Sequence, residues 1–271
     1  MAKVWFVTGS SRGFGRQFVE AALSRGDQVA ATARNVQSLT ELSATFGDAV
    51  LTLPLDVTDK AAVSAAVKQA HGHFGQLDVV VNNAGYGLFG AVEELNETDL
   101  RDQIETNLFG ALWVTQSVLP ILREQGHGHI IQISTVGGVT TFPNLGGYHA
   151  SKWALEGLSE TLAKEVAGFG IKVTMVEPGL FSTDWAGSSA VHADPLPAYA
   201  DLRAAIAGSS KNAVPGDPAA VGNALLKIVD AEYPPLRVFF GSAPLQLIQA
   251  VYSQRLETWI EWASVSDEAQ G

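Results

Sequence analysis

The chain has 271 residues, 46% of them hydrophobic and 17% charged; that is enough apolar surface for a large core, so intrinsic disorder is excluded. Its 28 acidic against 17 basic side chains leave a net charge of −11, which argues against a nucleic acid or another polyanion as partner, because phosphates need a basic face. Cysteine is absent, so there is neither a disulfide framework nor a thiolate ligand or nucleophile. The first ten residues hold one short apolar run, and nowhere do about 18 apolar residues follow one another. The reading is a cytoplasmic chain with no signal peptide and no membrane span.

In chain order, short runs rich in Val and Ile predict buried parallel strands. They lie at Val4–Val7, Gln28–Thr32, Ala49–Leu53, Leu77–Val81, His129–Ile133, Lys172–Val176 and Leu236–Phe240. Between them run apolar stripes at helical spacing. One holds Val63, Ala66, Val67, Ala70 and Phe74; a second Leu100, Ile104, Leu108, Ala111 and Val118; a third Leu155, Leu158, Leu162 and Val166. This alternation predicts an α/β protein, a doubly wound parallel sheet of about seven strands with helices on both faces. No shift in composition divides the chain, so residues 1–271 are read as one domain. Residues 182–218 break the rhythm with Pro195, Pro197, Pro215 and Pro218, and read as a lid over a substrate site. The tail, 243–262, is predicted as an amphipathic helix with Ile248, Val251, Tyr252, Leu256, Trp259 and Ile260 on its stripe. That stripe serves either a partner subunit or the wall of the chain's own pocket.

The first strand leads into Thr8-Gly9-Ser10-Ser11-Arg12-Gly13-Phe14-Gly15, followed by a helix. Glycines there let backbone N–H groups approach a pyrophosphate, and the helix N-terminus adds a favourable dipole. The spacing is G-x-x-x-G-x-G, not the commoner G-x-G-x-x-G. Further landmarks follow in order: Asn82-Asn83-Ala84-Gly85 at the end of the fourth strand, Asn107 in the next helix, and Ser134 after the fifth strand. Tyr148-His149-Ala150-Ser151-Lys152 opens the next helix as Y-x-x-x-K. Pro178-Gly179 follows the sixth strand, with Thr183 beyond it. In this set and order the chain resembles the short-chain dehydrogenases/reductases over about residues 3 to 240, which implies a Rossmann-type fold. The resemblance implies a nicotinamide dinucleotide held by Gly9, Ser11, Arg12, Gly13, Phe14, Gly15, Arg34, Asp56, Val57, Asn83, Ala84, Gly85, Tyr148, Lys152, Pro178, Gly179 and Thr183. It also implies that Ser134 holds the substrate oxygen, that Lys152 grips the nicotinamide ribose, and that Asn107 supports a proton relay to that lysine through water. A satisfied core amide is the other reading of Asn107.

Tyr148 and Lys152 are four residues apart and share a helix face. A nearby ammonium favours the phenolate, so the tyrosine pKa is expected to fall from about 10 toward neutrality, where the phenol serves as acid and base. Ser134 can hydrogen-bond a developing alkoxide. His149 reads as incidental to the motif. His71, His73, His127 and His129 lack carboxylate or thiolate companions at ligand spacing, so no metal site is read. At the end of the second strand an acidic residue would favour NAD; here Ala33 stands there, followed by Arg34. With Arg12 in the glycine turn, two guanidinium groups suit a 2′-phosphate, and NADP(H) is the expected cofactor. Tyr86, Leu88, Phe89, Val136, Phe142, Leu145, Leu180, Phe181 and Trp185, from loops after three strands, are read as an apolar pocket for a bulky ketone or aldehyde. The expected activity is reversible reduction of such a carbonyl to an alcohol. A steroid or retinoid dehydrogenase on the same site, or a non-catalytic NADP(H)-binding sensor, stays open as an alternative, and a homo-oligomer is expected.

Overall fold

The computed structural model describes residues 2–210 and 214–271. Seven parallel strands form one sheet: β1 (Val4–Val7), β2 (Gln28–Ala33), β3 (Val50–Pro54), β4 (Val79–Asn82), β6 (Gly128–Ile133), β7 (Ile171–Pro178) and β9 (Arg237–Phe240). Their order across the sheet is β3-β2-β1-β4-β6-β7-β9. A two-residue parallel ladder joins β5 (Leu88–Phe89) to β8 (Val191–His192). The connecting helices are α1 (Gly13–Ser24), α2 (Thr40–Phe46), α3 (Lys60–Phe74), α4 (Glu97–Ile104), α5 (Gly110–Gln125), α6 (Gly146–Val166), α7 (Ala200–Ser210) and α8 (Val221–Asp230); α9 (Pro244–Glu261) and α10 (Ala263–Gln270) follow the last strand.

Successive side chains of a strand point to opposite faces, and both faces here are apolar because both are covered. Trp5, Val7, Val79, Val81, Ile131 and Ile133 pack with Phe18, Val19 and Leu23 of α1 and Val221 and Leu225 of α8. Val4, Phe6, Val80 and Ile130 pack on the other side with Val63 and Val67 of α3, Val114 and Val118 of α5, and Leu162 of α6. Chain order reverses between β1 and β4, which places the ligand crevice beyond their carboxyl ends. The predicted strands stand within two residues of their expected bounds, and β7 runs on to Pro178. The stripe from Leu100 to Val118 is not one helix. A π-helical turn, Glu105–Phe109, separates α4 from α5. Such wide turns mark functional positions, and this one carries Asn107.

The excursion at 182–218 is built of short pieces: a 3-10 turn at Asp184–Ala186, β8, another 3-10 turn at Pro197–Tyr199, and α7. Residues 211–213 of that excursion lie outside the described residues. In the tail, Ile248 packs on Val136, Val139 and Phe239, and Arg255 donates to the Val139 carbonyl at 3.2 Å. Beyond that anchor the stripe is bare: Trp259 is 66% and Ile260 73% exposed. So the tail backs the loop after β6 with its first turns and leaves Leu256, Trp259 and Ile260 more than half exposed, while Tyr252 lies under the Arg255 guanidinium.

Candidate active site

The glycine turn is shaped for close approach. Gly9 and Gly13 have φ of +69° and +56°, a left-handed backbone that favours glycine. A Cβ at Gly15 would collide with the Gly9 carbonyl and stand 2.5 Å from Asn83 Nδ2. Asn83 Nδ2 donates to the carbonyls of Thr8 (3.0 Å) and Gly9 (3.1 Å). The Thr8 hydroxyl in turn accepts from the backbone N–H groups of Asn83 and Ala84, both at 3.0 Å. Thr8 therefore locks the turn after β1 to the turn after β4. The sequence reading quoted Thr8 without giving it a role; its signal was a hydroxyl at the last step before the glycines. Ser11 and Phe14 are half-buried in the same turn.

Arg34 is exposed and, among the described residues, has neither a hydrogen bond nor an ion pair. Arg12 behaves differently. Its guanidinium donates to Asp184 Oδ2 at 2.7 Å and to the Ser188 hydroxyl at 3.2 Å, so in this structure it ties the glycine turn to the excursion after β7. Asp56 is exposed and accepts from the N–H and hydroxyl of Thr58. Val57 is buried beneath Gly110. Pro178 and Gly179 close the far side, where the Gly179 N–H donates to the Phe240 carbonyl at 2.9 Å. Thr183 is half-buried just beyond them.

Tyr148, Lys152, Ser134 and Asn107 come together, all buried. Lys152 Nζ donates to the Ile133 carbonyl at 2.7 Å. Asn107 Nδ2 donates to the Tyr86 carbonyl and the Ser151 hydroxyl, and its Oδ1 accepts from the Tyr86 N–H. The amide is thus satisfied and sits beside Lys152. A Cβ at Gly85 would lie 2.9 Å from Asn107 Oδ1 and 3.7 Å from Lys152 Nζ, so that glycine leaves a cradle open against both. Ser134 Oγ is buried without a hydrogen-bond partner among the described residues. A buried hydroxyl left so is suited to a substrate oxygen.

One electrostatic expectation is corrected. Burial pushes the Tyr148 phenol above its ordinary value, opposed by a hydrogen bond with Thr135, and no lowering by Lys152 enters. Burial pulls Lys152 down to about 8, opposed by Glu156. Desolvation disfavours both charged forms, and with Lys152 turned to the Ile133 carbonyl it outweighs their attraction.

The pocket expectation also divides. The Trp185 ring lies 4.9 Å from that of Tyr148 and 5.1 Å from that of Phe89. Tyr86 and Leu145 are half-buried nearby, and Phe142 is exposed. Leu88 is fully buried, because it packs under Gly147 as core. Val136 is buried against the tail helix. Phe181 packs edge-on against Phe14, ring centres 4.9 Å apart, and Leu180 is exposed. His149 has a structural task that the sequence reading missed: its Nε2 accepts the Phe142 N–H at 2.9 Å and holds the loop before α6. Among the described residues no three His, Asp or Glu side chains are placed to hold a metal ion. No helix is long and apolar enough to cross a membrane.

The left-handed glycines, the helix N-terminus and the gap at Gly85 fit a dinucleotide laid across the strand ends. Solved structures share the fold. A short-chain dehydrogenase from Streptomyces avermitilis superposes with a TM-score of 0.92 at 40% identity, covering 99% of this chain and 98% of that one. An alcohol dehydrogenase from Thermococcus sibiricus, complexed with 5-hydroxy-NADP, superposes with a TM-score of 0.76 at 26% identity, over 90% of this chain and 98% of that one. Among sequences, Oxidoreductase BOA17 of Botryotinia fuckeliana is 46% identical over 245 residues, 89% of either chain. Residues 3–193 match the short chain dehydrogenase family. The chain belongs to that family and is an oxidoreductase of the dehydrogenase/reductase type.

Proposed function

We propose that the protein reduces a hydrophobic ketone or aldehyde with NADPH, and oxidises the alcohol in the reverse direction. The observation that carries this reading is the buried, unpartnered Ser134 hydroxyl, flanked in sequence by Ile133, whose carbonyl holds Lys152, and by Thr135, which hydrogen-bonds Tyr148. Gly9, Gly13, Gly15 and Gly85 would admit the dinucleotide, and Arg34 would meet its 2′-phosphate. When bound, the cofactor supplies the hydride. Ser134 donates to the substrate oxygen and Tyr148 gives that oxygen its proton. With the cofactor bound, a charged Lys152 turned from the Ile133 carbonyl toward the phenol would favour loss of that proton. Trp185 lies against Tyr148, and with the half-buried Tyr86 and Leu145 it would offer apolar and aromatic surface and no cation for a keto acid. Residues 182–218 act as the lid, held to the glycine turn through Arg12 and Asp184.

Absorbance of NADPH followed against a panel of carbonyl compounds tests the reading. Aryl and long-chain ketones are expected to be turned over with kcat/KM at least about tenfold above keto acids, the scale of one misplaced charge or methylene pair in a pocket. Binding of NADPH with no turnover across the panel would make the protein a sensor instead.

The bare stripe of α9 supports a contact between copies of this chain in the cytoplasm. Trp259 and Ile260 are exposed, so Trp259→Ser with Ile260→Ser should leave the fold intact. Light scattering is expected to show a smaller species for that variant; an unchanged mass overturns the assembly.

A further inference from the structure

Behind the Tyr148–Lys152 face lies a second ionisable cluster that the reaction above leaves unused. Glu156 stands one turn after Lys152 on α6 and is buried. Its Oε2 accepts from Arg237 Nε at 3.0 Å. Its Oε1 has no hydrogen-bond partner among the described residues. A Cβ at Gly138 would sit 3.2 Å from that oxygen and 2.6 Å from Ser134 Oγ, so the carboxylate and the serine flank one α-carbon. Arg237, on β9, also donates to Glu160 Oε2 at 2.9 Å and lies 3.4 Å from Glu177 Oε1.

Lys152 stands one turn before Glu156 on α6, Arg237 binds both Glu156 and Glu160, and Glu160 is shared with Lys164 at 2.9 Å. Glu177, on β7, is fully buried, and neither of its carboxyl oxygens has a hydrogen-bond partner among the described residues, which disfavours its charged form. Burial indeed pushes its carboxyl up to about 8, with Glu156 adding and Arg237 opposing. The groups facing Glu156 are thus Lys152 and Glu160 on its own helix, Glu177 from β7, Arg237 from β9, and Ser134 from the turn after β6.

We propose that Glu156 is a positioning residue for the carbonyl chemistry: braced by Arg237 and one turn from Lys152 on the same helix face, its buried carboxylate favours the ammonium form of Lys152. The inference rests on Tyr148 and Lys152 being the reacting pair. Glu156 is the group that opposes the effect of burial on Lys152. Without that carboxylate, a fully buried ammonium one turn away would shed its proton at a lower pH.

Carbon NMR of the lysine Cε atoms in the full chain reads this directly, with Lys152 assigned by the resonance missing from Lys152→Met. Glu156→Gln keeps the shape and removes the charge. The Lys152 midpoint is expected to fall by about one pH unit, a tenfold loss of proton affinity. The alkaline limb of the reduction profile should move to lower pH with it. Glu177→Gln removes the second buried carboxyl and should move the Lys152 midpoint much less than Glu156→Gln does. If thermal melting shows Glu156→Gln unfolded, Glu156→Met is measured in its stead. A merely structural brace would lower the melting temperature without moving that midpoint, and an unmoved midpoint in a folded Glu156 variant overturns the proposal. An equal shift in Glu177→Gln also overturns it. Should the midpoint fall while Tyr148→Phe still turns over normally, the hold on Lys152 stands and the assignment of the reaction fails.

Discussion

Tyr148→Phe is expected to lower carbonyl reduction by at least about 10²-fold, the scale of a positioned general acid. The substitution removes one hydroxyl and leaves the ring, whose centre lies 4.9 Å from that of Trp185. Burial holds the phenol protonated in this structure, so the group stands ready as a donor, the form that reduction needs. Its loss therefore falls on the proton step. In the proposed reading the glycine turn and Arg34 would dominate NADPH affinity, which should therefore largely survive. Steady-state NADPH oxidation, paired with a fluorescence titration of cofactor binding, separates the two. Turnover near that of the parent protein would remove Tyr148 from the acid role.

Arg34→Ala is expected to weaken NADPH by about 1.5–3 kcal/mol, the range of a charge-assisted hydrogen bond, and NADH far less. The structure sharpens which arginine carries this. Arg34 is exposed and unpaired, so it meets a 2′-phosphate without giving up another partner. Arg12 already holds Asp184, and its contact with a phosphate would have to exceed that ion pair. Arg12→Ala should therefore cost NADPH less than Arg34→Ala does. Dissociation constants for both dinucleotides decide it, and equal losses of NADPH and NADH in Arg34→Ala would show that this arginine does not read the phosphate.

The parallel sheet, its two covered faces and the order of its motifs were legible in the residues. Local pattern is enough for these. A run such as Val-Trp-Phe-Val has one stable environment, buried on both sides. Tyr and Lys four apart on a helix share a face by geometry alone, and glycines clustered between a strand and a helix announce a tight turn. Tertiary packing decided the rest. The π-turn at Asn107 follows from its hydrogen bonds to Tyr86 and Ser151, the latter 44 residues away. Arg12 lies 172 residues from Asp184, and no spacing rule connects them. Leu88 reads like a pocket residue in its loop, and only the α6 helix over it makes it core. The rise of the Tyr148 pKa depends on how much water the fold removes from the phenol, which no local pattern encodes. Glu156, Glu177 and Arg237 look in the sequence like ordinary helix and strand charges. They become a cluster because β7, β9 and α6 meet behind Ser134, where burial turns each charge into a constraint on its neighbours.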